Sequence, residues 1–177
     1  MSTEKVDLQA LVAQFSSRDL PPVAQWNPIS ERTIDMRIDH NGTWYYNGSA
    51  IERARMVALF STILRREGER YFLVTPHEKL AIEVENVPFV VQLMEVTGDA
   101  QGQCLEFTDN VGNVFVAGND HPLWTADYAG QLLPYVMVRE NLPGLLSRAV
   151  YYQLAELVIE RDDHYGVWSD GVFFQLQ

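Results

Sequence analysis

The chain has 177 residues, of which 47% are hydrophobic, so it can bury a real core as one large domain or two small ones. Its formal net charge of -11 repels phosphate backbones, and DNA or RNA is therefore not expected as a main partner. The same charge argues against docking on anionic membranes, and no apolar run approaches the roughly 18–20 residues that span a bilayer.

The amino terminus is predicted to form a helix followed by a connecting arm. Apolar residues recur at helical spacing within Thr3–Phe15 and form one stripe. Ser16–Pro28 contains three prolines and is interpreted as the arm, which Trp26 is expected to pin to the body. A signal peptide requires a long apolar stretch after its first charges, and this chain has none there. A cytoplasmic location is therefore expected.

The first half is predicted to combine strands with one helix. Ile34, Met36 and Ile38 alternate with polar residues, a pattern typical of a half-buried strand. A capping box, Ser49–Glu52, predicts a helix over Ala50–Glu67. Three further strands are expected, at Tyr71–Thr75, Leu80–Val84 and Phe89–Thr97.

The second half is predicted to be β-rich and to end in a helix and a hairpin. Asn141–Gly144 is expected to start a short helical turn, and Ser147 is expected to cap a helix over about Arg148–Arg161. The strands are expected at Cys104–Thr108, Val114–Ala117, Leu133–Arg139, Gly166–Trp168 and Val172–Leu176.

These elements lack the regular alternation of strand and helix that makes a parallel sheet. The fold class is therefore predicted to be α+β with a largely antiparallel sheet. Three parts are expected along the chain: an amino-terminal helix and arm over residues 1–28, a first α+β half over residues 29–91, and a second, β-rich half over residues 92–177.

A turn cassette recurs three times, in Asp39–Gly48, Asp109–Gly118 and Asp163–Gly171. Each copy has Gly three residues after Asp, then a short apolar or aromatic run, then a second Gly. Asp, Asn and Gly tolerate the left-handed backbone that tight turns need. The repeat predicts two duplicated hairpin-plus-helix halves. The alternative is three ordinary hairpin turns that are alike by chance, because turn chemistry draws on few residues.

The sequence contains no strong enzyme motif. Its glycines match neither the dinucleotide-binding nor the P-loop spacing. Asp120–His121 and Asp162–His164 are the only suggestive metal clusters, and both fall in predicted turns, where such residues are common for local reasons. Ser169 has a histidine and an aspartate nearby, but the nucleophile-elbow motif has one residue fewer before its serine. Cys104 is the only cysteine, so an internal disulfide is excluded.

Aromatic residues concentrate in the cassettes and the final helix, and a few arginines stand out in a very acidic chain. The rings are interpreted as core, with the alternative that some line a groove between the halves and stack a planar ligand. Arg37, Arg139 and Arg148 would then suit a phosphate or carboxylate, because a guanidinium binds such groups bidentately. The alternative for these arginines is pairing with acidic neighbours on the surface.

Three sets of segments resemble a known family. They are Arg37–Ile51, then Tyr71–Glu78 with Ile82–Phe89, and finally Val150–Leu157 with Gly166–Phe174. In this order they resemble the bacterial domain-of-unknown-function family 1285, over about residues 28 to 177. The resemblance implies two duplicated α+β halves, the second like a pleckstrin-homology fold, and a nucleotide-like ligand at the interface of the halves with a role in signalling. It supplies no catalytic motif.

The sequence and the resemblance together predict a non-catalytic small-ligand-binding or regulatory protein. The ligand is expected to be small, planar and anionic, no metal is expected, and the identity of any cofactor stays open. The alternatives are a protein interaction module that uses a sheet edge, and a weak hydrolase with a carboxylate base. The residues expected to contact the ligand are Arg37, Trp44, Thr75, Glu78, Arg148, Tyr151 and Trp168.

Overall fold

The structure, a computed structural model, describes Ala10 and residues 20–177. The predicted helix over Thr3–Phe15 lies outside the described residues, Ala10 excepted. The chain divides into two compact units, the first ending at Glu85 and the second formed by Asn86–Gln177. The boundary expected from the sequence, between residues 91 and 92, falls inside the first strand of the second unit.

The described part of the first unit is one mixed sheet with one helix. The sheet has the order β3-β2-β1-β6-β5-β4, in which the central β1–β6 pair is parallel and the other pairs are antiparallel. Its elements are β1 (Ser30–Ile38), β2 (Trp44–Tyr46), β3 (Ser49–Ala50), α1 (Ala54–Thr62), β4 (Leu64–Glu67), β5 (Arg70–Val74) and β6 (Glu78–Val84).

Strand β1 and helix α1 supply much of the core of the first unit. Ile34, Met36 and Ile38 are buried while the residues between them are not, so the predicted half-buried strand is confirmed. On α1, Phe60 is fully buried and its ring lies 6.3 Å from that of Trp44 on β2. The helix therefore contributes Phe60 to the core, against β2.

The prediction of a helix over Ala50–Glu67 is wrong at both ends. Ser49–Ala50 forms β3, which pairs with β2 across a turn whose residues Asn47 and Gly48 both have positive φ. Leu64–Glu67 forms β4 and pairs with β5. In both segments the hydrogen bonds of strand pairing, joined by the burial of Leu64 in β4, outweigh local helix propensity. The capping box does not form.

Within the arm, Pro21 and Pro22 precede a 3-10 turn at Val23–Gln25, and Pro28 follows it. Arg65 on β4 donates hydrogen bonds to the carbonyl oxygens of Val23 (3.1 Å) and Trp26 (2.6 Å). The arm is thus fixed at Trp26, through the backbone carbonyl of that residue.

The second unit contains a six-stranded sheet, one helix and a three-stranded antiparallel sheet. The larger sheet has the order β10-β11-β12-β7-β8-β9, with its central β7–β12 pair parallel, and the smaller has the order β13-β14-β15. The elements are β7 (Phe89–Thr97), β8 (Cys104–Asp109), β9 (Val114–Val116), β10 (Leu123–Tyr128), β11 (Gln131–Arg139), β12 (Leu142–Leu146), α2 (Arg148–Ala155), β13 (Ile159–Arg161), β14 (His164–Ser169) and β15 (Val172–Gln175).

The two six-stranded sheets share one topology. When the strands of each unit are numbered from its own start, both sheets have the order 3-2-1-6-5-4 and both pair strands 1 and 6 in parallel. The duplication is therefore confirmed for the sheets, and the fold is α+β and mostly sheet. The helices break the repeat, because α1 follows the third strand of its unit and α2 follows the sixth.

The turn cassettes do not mark equivalent positions of the duplication. Asp39 lies between the first and second strands of its unit, whereas Asp109 is the last residue of the second strand of the other and leads into the turn to the third. In the third cassette Asp163 lies in a two-residue turn, and Gly166 is inside β14. The cassettes are recurrent turn chemistry, as the alternative interpretation held.

Two further predictions for the second unit are wrong. Leu142–Leu146 is a strand rather than a helical turn, because it pairs with β11 on one side and β7 on the other. Helix α2 ends at Ala155 instead of Arg161, since Ile159–Arg161 pairs with β14. The Ser147 cap is confirmed, because its Oγ accepts the Val150 N–H at 3.3 Å.

Candidate functional site

Several polar side chains meet where β1 and β6 end. Because these strands are parallel, their carboxyl ends lie at the same edge of the sheet. The residues that converge there are called the end cluster below. They come from the end of strand β1, from the loop that follows it, from β2 and from the residue after β6. They are Arg37, Asp39, His40, Tyr45 and Glu85.

The carboxylate of Glu85 is the centre of the end cluster. One oxygen, Oε2, accepts the backbone N–H of His40 at 3.1 Å and lies 3.8 Å from Nη1 of Arg37. The other, Oε1, lies 3.3 Å from Nδ1 of His40. A guanidinium, an imidazole and a peptide N–H are thus all directed at one anionic group.

The ring of Tyr45 forms the floor beneath Arg37. The guanidinium carbon lies 4.4 Å from the ring centroid, a cation–π arrangement. The Tyr45 hydroxyl donates to Oδ2 of Asp39 at 3.3 Å, while Oδ1 of Asp39 accepts the backbone N–H groups of Asn41 and Thr43. Asp39 is buried, and its turn fixes the tyrosine. The Arg37 side chain is 44% exposed, so this cation remains accessible.

Thr75 and Glu78 lie at the opposite end of the same strand pair. Glu78 is opposite Ser30, at the start of β1, whereas Arg37 is opposite Glu83. Glu83 lies five positions after Glu78 on β6, which corresponds to about 17 Å along the strand. Thr75 Oγ1 accepts the N–H groups of His77 and Glu78, closing the turn between β5 and β6. The structure does not bring these two predicted residues together with Arg37.

Glu78 also has a partner of its own. Its carboxylate accepts from Nε of Arg32 at 3.0 Å and from Nη2 at 3.3 Å, the fork geometry of a bidentate pair. Glu78 and Thr75 are therefore held by neighbouring groups of the fold.

Trp44 is a core residue, so its prediction as a ligand contact needs correction. The side chain is 1% exposed and stacks on Phe60. A ring that is covered on all sides offers no face for stacking a ligand. Side chains alternate along β2, so Tyr45 lies on the side of Arg37 while the neighbouring Trp44 points into the core.

In the second unit, Trp168 lies on one face of the three-stranded sheet. Its ring centroid is 5.4 Å from that of Phe173 on β15, in an edge-on arrangement. The Arg161 guanidinium from β13 lies 4.8 Å from the Trp168 centroid and 5.6 Å from the Phe173 centroid. These three half-buried or exposed residues are called the aromatic face below. The sequence identified only Trp168 among them.

Arg148 and Tyr151 lie in the first turn of α2. Three residues apart, they share one face of the helix. Arg148 is exposed and Tyr151 is half-buried. Their role as ligand contacts stays a prediction.

Arg139, the third arginine considered from the sequence, is half-buried in the second unit. Its guanidinium lies 5.4 Å from the centroid of Phe89. Burial lowers the pKa of Arg139 and raises the pKa of Asp109, and the attraction between the two groups opposes both shifts. Asp109 accepts the N–H groups of Val111 and Asn113, so its turn is a structural feature.

Ser169 is not placed as a nucleophile. It is fully buried, donates to the Ala117 carbonyl at 2.7 Å and accepts the Leu105 N–H at 2.9 Å. Its hydroxyl ties β14 to β8 and to the loop after β9. Within residues 20–177, no three His, Cys, Asp or Glu side chains converge as metal ligands.

The chain is similar to proteins of one family along almost all its length. A family model described as "Domain of unknown function (DUF1285), N-terminal domain" matches residues 21–87. A second, described as "Protein of unknown function (DUF1285), C-terminal domain", matches residues 88–176. No curated protein matches the chain. Neither described helix is long and apolar enough to cross a membrane.

Two solved structures are similar to the chain. A DUF1285 family protein from Silicibacter pomeroyi DSS-3 is 42% identical, with a TM-score of 0.92 over 98% of this chain and 96% of the other. A DUF1285 family protein from Shewanella baltica OS155 is 26% identical, with a TM-score of 0.55 over 68% of this chain and 90% of the other.

Proposed function

The chain belongs to the DUF1285 family, and we propose that it is a non-catalytic binding protein with a small, planar, anionic ligand. The end cluster is the proposed contact site in the first unit. A nucleotide-like molecule has the two required parts, a ring and a phosphate or carboxylate. The anionic part would bind Arg37 and His40, and the ring would lie against Tyr45.

The observation that carries this proposal is the set of hydrogen-bond donors and cationic groups around the Glu85 carboxylate. Arg37 Nη1, His40 Nδ1 and the His40 N–H all lie within 4 Å of its oxygens. A phosphate or carboxylate of a ligand needs the same set of donors. Glu85 is 41% exposed and its distance to Arg37 is long, so a ligand anion can displace it at modest energetic cost.

The charge of the chain limits what this site can bind. A net charge of -11 repels anions at long range, so binding depends on short contacts to Arg37 and His40. A small ligand with one anionic group meets this condition better than a polyanion. The affinity should fall at high salt less steeply than it does for nucleic acid polymers, because few charges take part.

The wider scheme derived from the sequence stays a prediction. It includes a ligand at the interface of the halves that also touches Arg148, Tyr151 and Trp168. It includes the pleckstrin-homology likeness of the second half, a signalling role in a bacterium and a cytoplasmic location as well. The end cluster supports only the part of the scheme that involves Arg37.

A thermal-shift series with nucleoside monophosphates and inorganic phosphate tests the proposal. Wild type should be stabilised by about 2–3 kcal/mol when the ligand concentration is a hundredfold above its Kd. Arg37→Ala should lose this stabilisation, because the only arginine of the end cluster is removed. Arg70→Ala is the matched control, since Arg70 is an exposed arginine of the same sheet and lies 4.8 Å over the ring of Phe72.

The two variants separate a specific site from a general charge effect. If stabilisation is lost in Arg37→Ala and kept in Arg70→Ala, the end cluster binds the ligand. Equal losses in both variants, or full stabilisation in Arg37→Ala, would contradict the proposal.

A further inference from the structure

We propose that the aromatic face of the second unit binds an arginine- or lysine-bearing segment of a partner protein. This surface is distinct from the end cluster, which belongs to the first unit, so the two proposals are tested independently. The inference comes from the ring geometry, from the position of Arg161, and from the carboxylates beside it.

The rings lie on one side of the three-stranded sheet and are partly open to solvent. Trp168 and Phe173 are directly opposite each other on β14 and β15. Gly166 gives Phe173 the room to lie flat, because a Cβ at this position would be 2.8 Å from Phe173 Cζ. The opposite side of the sheet carries the buried residues Val167, Ser169 and Phe174. The aromatic face is therefore the outward side of a sheet whose other side is core.

Arg161 shows which chemistry these rings accept. Its guanidinium lies over both Trp168 and Phe173, and its side chain is 49% exposed. An exposed cation–π contact is weak, so a partner's guanidinium or ammonium can replace it. Arg161 occupies the position in which a cation from another protein would bind.

The charges around Arg161 favour a basic partner. Asp162 and Asp163 are both exposed and form the two-residue turn between β13 and β14. Nε of Arg161 lies 3.5 Å from Oδ2 of Asp162, so carboxylates and rings are available to the same cation. Adjacent carboxylates repel an anionic partner and attract a cationic one, and the net charge of -11 steers in the same direction.

The edge of the sheet adds a backbone site for an extended segment. Strand β13 is the outer strand of the three-stranded sheet, and Ile159 on it is 47% exposed. A partner segment that pairs with this edge would place alternate side chains on the aromatic face. Basic side chains in these positions would reach the rings and Asp162.

The probe is a short peptide of alternating arginine and glycine, titrated into the full chain by calorimetry at low salt. Asp162→Asn/Asp163→Asn removes two charges without disturbing the turn, because Asn tolerates the positive φ found at both positions. This variant should bind the peptide about tenfold more weakly. The matched control is Glu95→Gln/Glu106→Gln, which removes two charges from directly paired residues of β7 and β8.

Arg161→Ala is expected to give a result that a purely structural role of Arg161 would not give, namely tighter binding of the peptide. Removal of the intramolecular cation uncovers both rings and eliminates a repulsive charge. The peptide should therefore bind several-fold more tightly. This gain is about as large as the contribution of one exposed cation–π contact, which the peptide no longer has to displace. The fold of each variant is checked by circular dichroism, and a glutamate–glycine peptide serves as the charge control.

The proposal stands if the peptide binds, if the aspartate variant weakens binding more than the control does, and if Arg161→Ala strengthens it. It is overturned if the peptide does not bind, if both charge variants weaken binding equally, or if Arg161→Ala weakens it. Stronger binding of the glutamate–glycine peptide or of inorganic phosphate would identify an anion site around Arg161 instead.

Discussion

The two six-stranded sheets have the same strand order, yet the elements around them differ. In the first unit the helix is inserted after the third strand, and in the second unit it follows the sixth strand and leads into a further sheet. The shared order indicates that the sheet is the repeated scaffold. The aromatic face lies on the additional three-stranded sheet, whereas the end cluster lies on strands of the repeated scaffold. A difference in binding between the units would therefore arise from an added element in one case and from side chains in the other.

The Asp39 and Asp109 turns sharpen this comparison. Each carboxylate accepts two backbone N–H groups, two and four residues further along the chain. Asp39 also accepts the hydroxyl of Tyr45, whereas Asp109 interacts electrostatically with the half-buried Arg139. Identical local chemistry therefore supports a candidate site in one unit and a structural contact in the other. The surroundings of a turn decide its role.

The largest expected effect concerns the helices, which are the elements that break the repeat. Phe60 on α1 and Leu154 on α2 are both fully buried. Phe60→Ala should lower the free energy of unfolding by about 3–5 kcal/mol and Leu154→Ala by about 2–5 kcal/mol, through lost burial and a cavity. Urea denaturation measures both. A loss below about 1 kcal/mol at either position would show that this helix is dispensable for its sheet.

A smaller effect is expected in the three-stranded sheet, which has no counterpart among the described residues of the first unit. A Cβ at Gly166 would lie 2.2 Å from the Phe174 carbonyl oxygen, so Gly166→Ala should cost about 2–3 kcal/mol. Gly102→Ala is the control and should change stability by less than about 0.5 kcal/mol, because a Cβ at Gly102 meets no atom within 4 Å. Equal unfolding midpoints for the two variants would refute the close approach at Gly166.

The smallest effect tests the difference between the aspartate turns through pH. Burial raises the pKa of Asp109, so ionisation of this group is less favourable in the folded than in the unfolded chain. Its destabilising effect is full above the folded pKa and is relieved as the pH falls through that value. Asp109→Asn keeps an acceptor oxygen for the turn and does not titrate.

The measurement is urea denaturation of both proteins from neutral to acidic pH. The stability of wild type relative to Asp109→Asn should rise as the pH falls. A relative stability that falls on acidification would mean that Arg139 and the turn stabilise the ionised carboxylate more than burial disfavours it.

Strands with a clear local pattern, such as alternation or an apolar run between turns, were predictable from the sequence. Elements that depend on distant pairing were not. Phe89–Thr97 was predicted with its observed bounds, because turn residues flank an apolar run. Leu123–Tyr128 was missed, although Trp124, Ala126 and Tyr128 alternate with Thr125 and Asp127, because so short an alternation is a weak signal. Ser49–Ala50 was assigned to a helix because its capping signal is local, whereas its strand partner is set by the turn before it.

The candidate site was predictable only in part, for the same reason. Arg37 could be selected because arginines are few in an acidic chain. Glu85 could not be connected with it, because the contact depends on the parallel pairing of β1 with β6, forty-eight residues away in sequence. Arg161 was likewise assigned to a helix, which hid its position opposite His164 and over the rings.

The most direct test of the account is the affinity of Glu85→Gln for a nucleoside monophosphate, measured by calorimetry beside wild type. If Glu85 occupies the position of a ligand anion, neutralising it should tighten binding about three- to tenfold. Glu69→Gln is the control, because Glu69 is an exposed glutamate in the turn between β4 and β5, and β4 is the outer strand of the same sheet. Tighter binding confined to Glu85→Gln is the predicted result. Unchanged or weaker binding in that variant would contradict the proposed role of the end cluster.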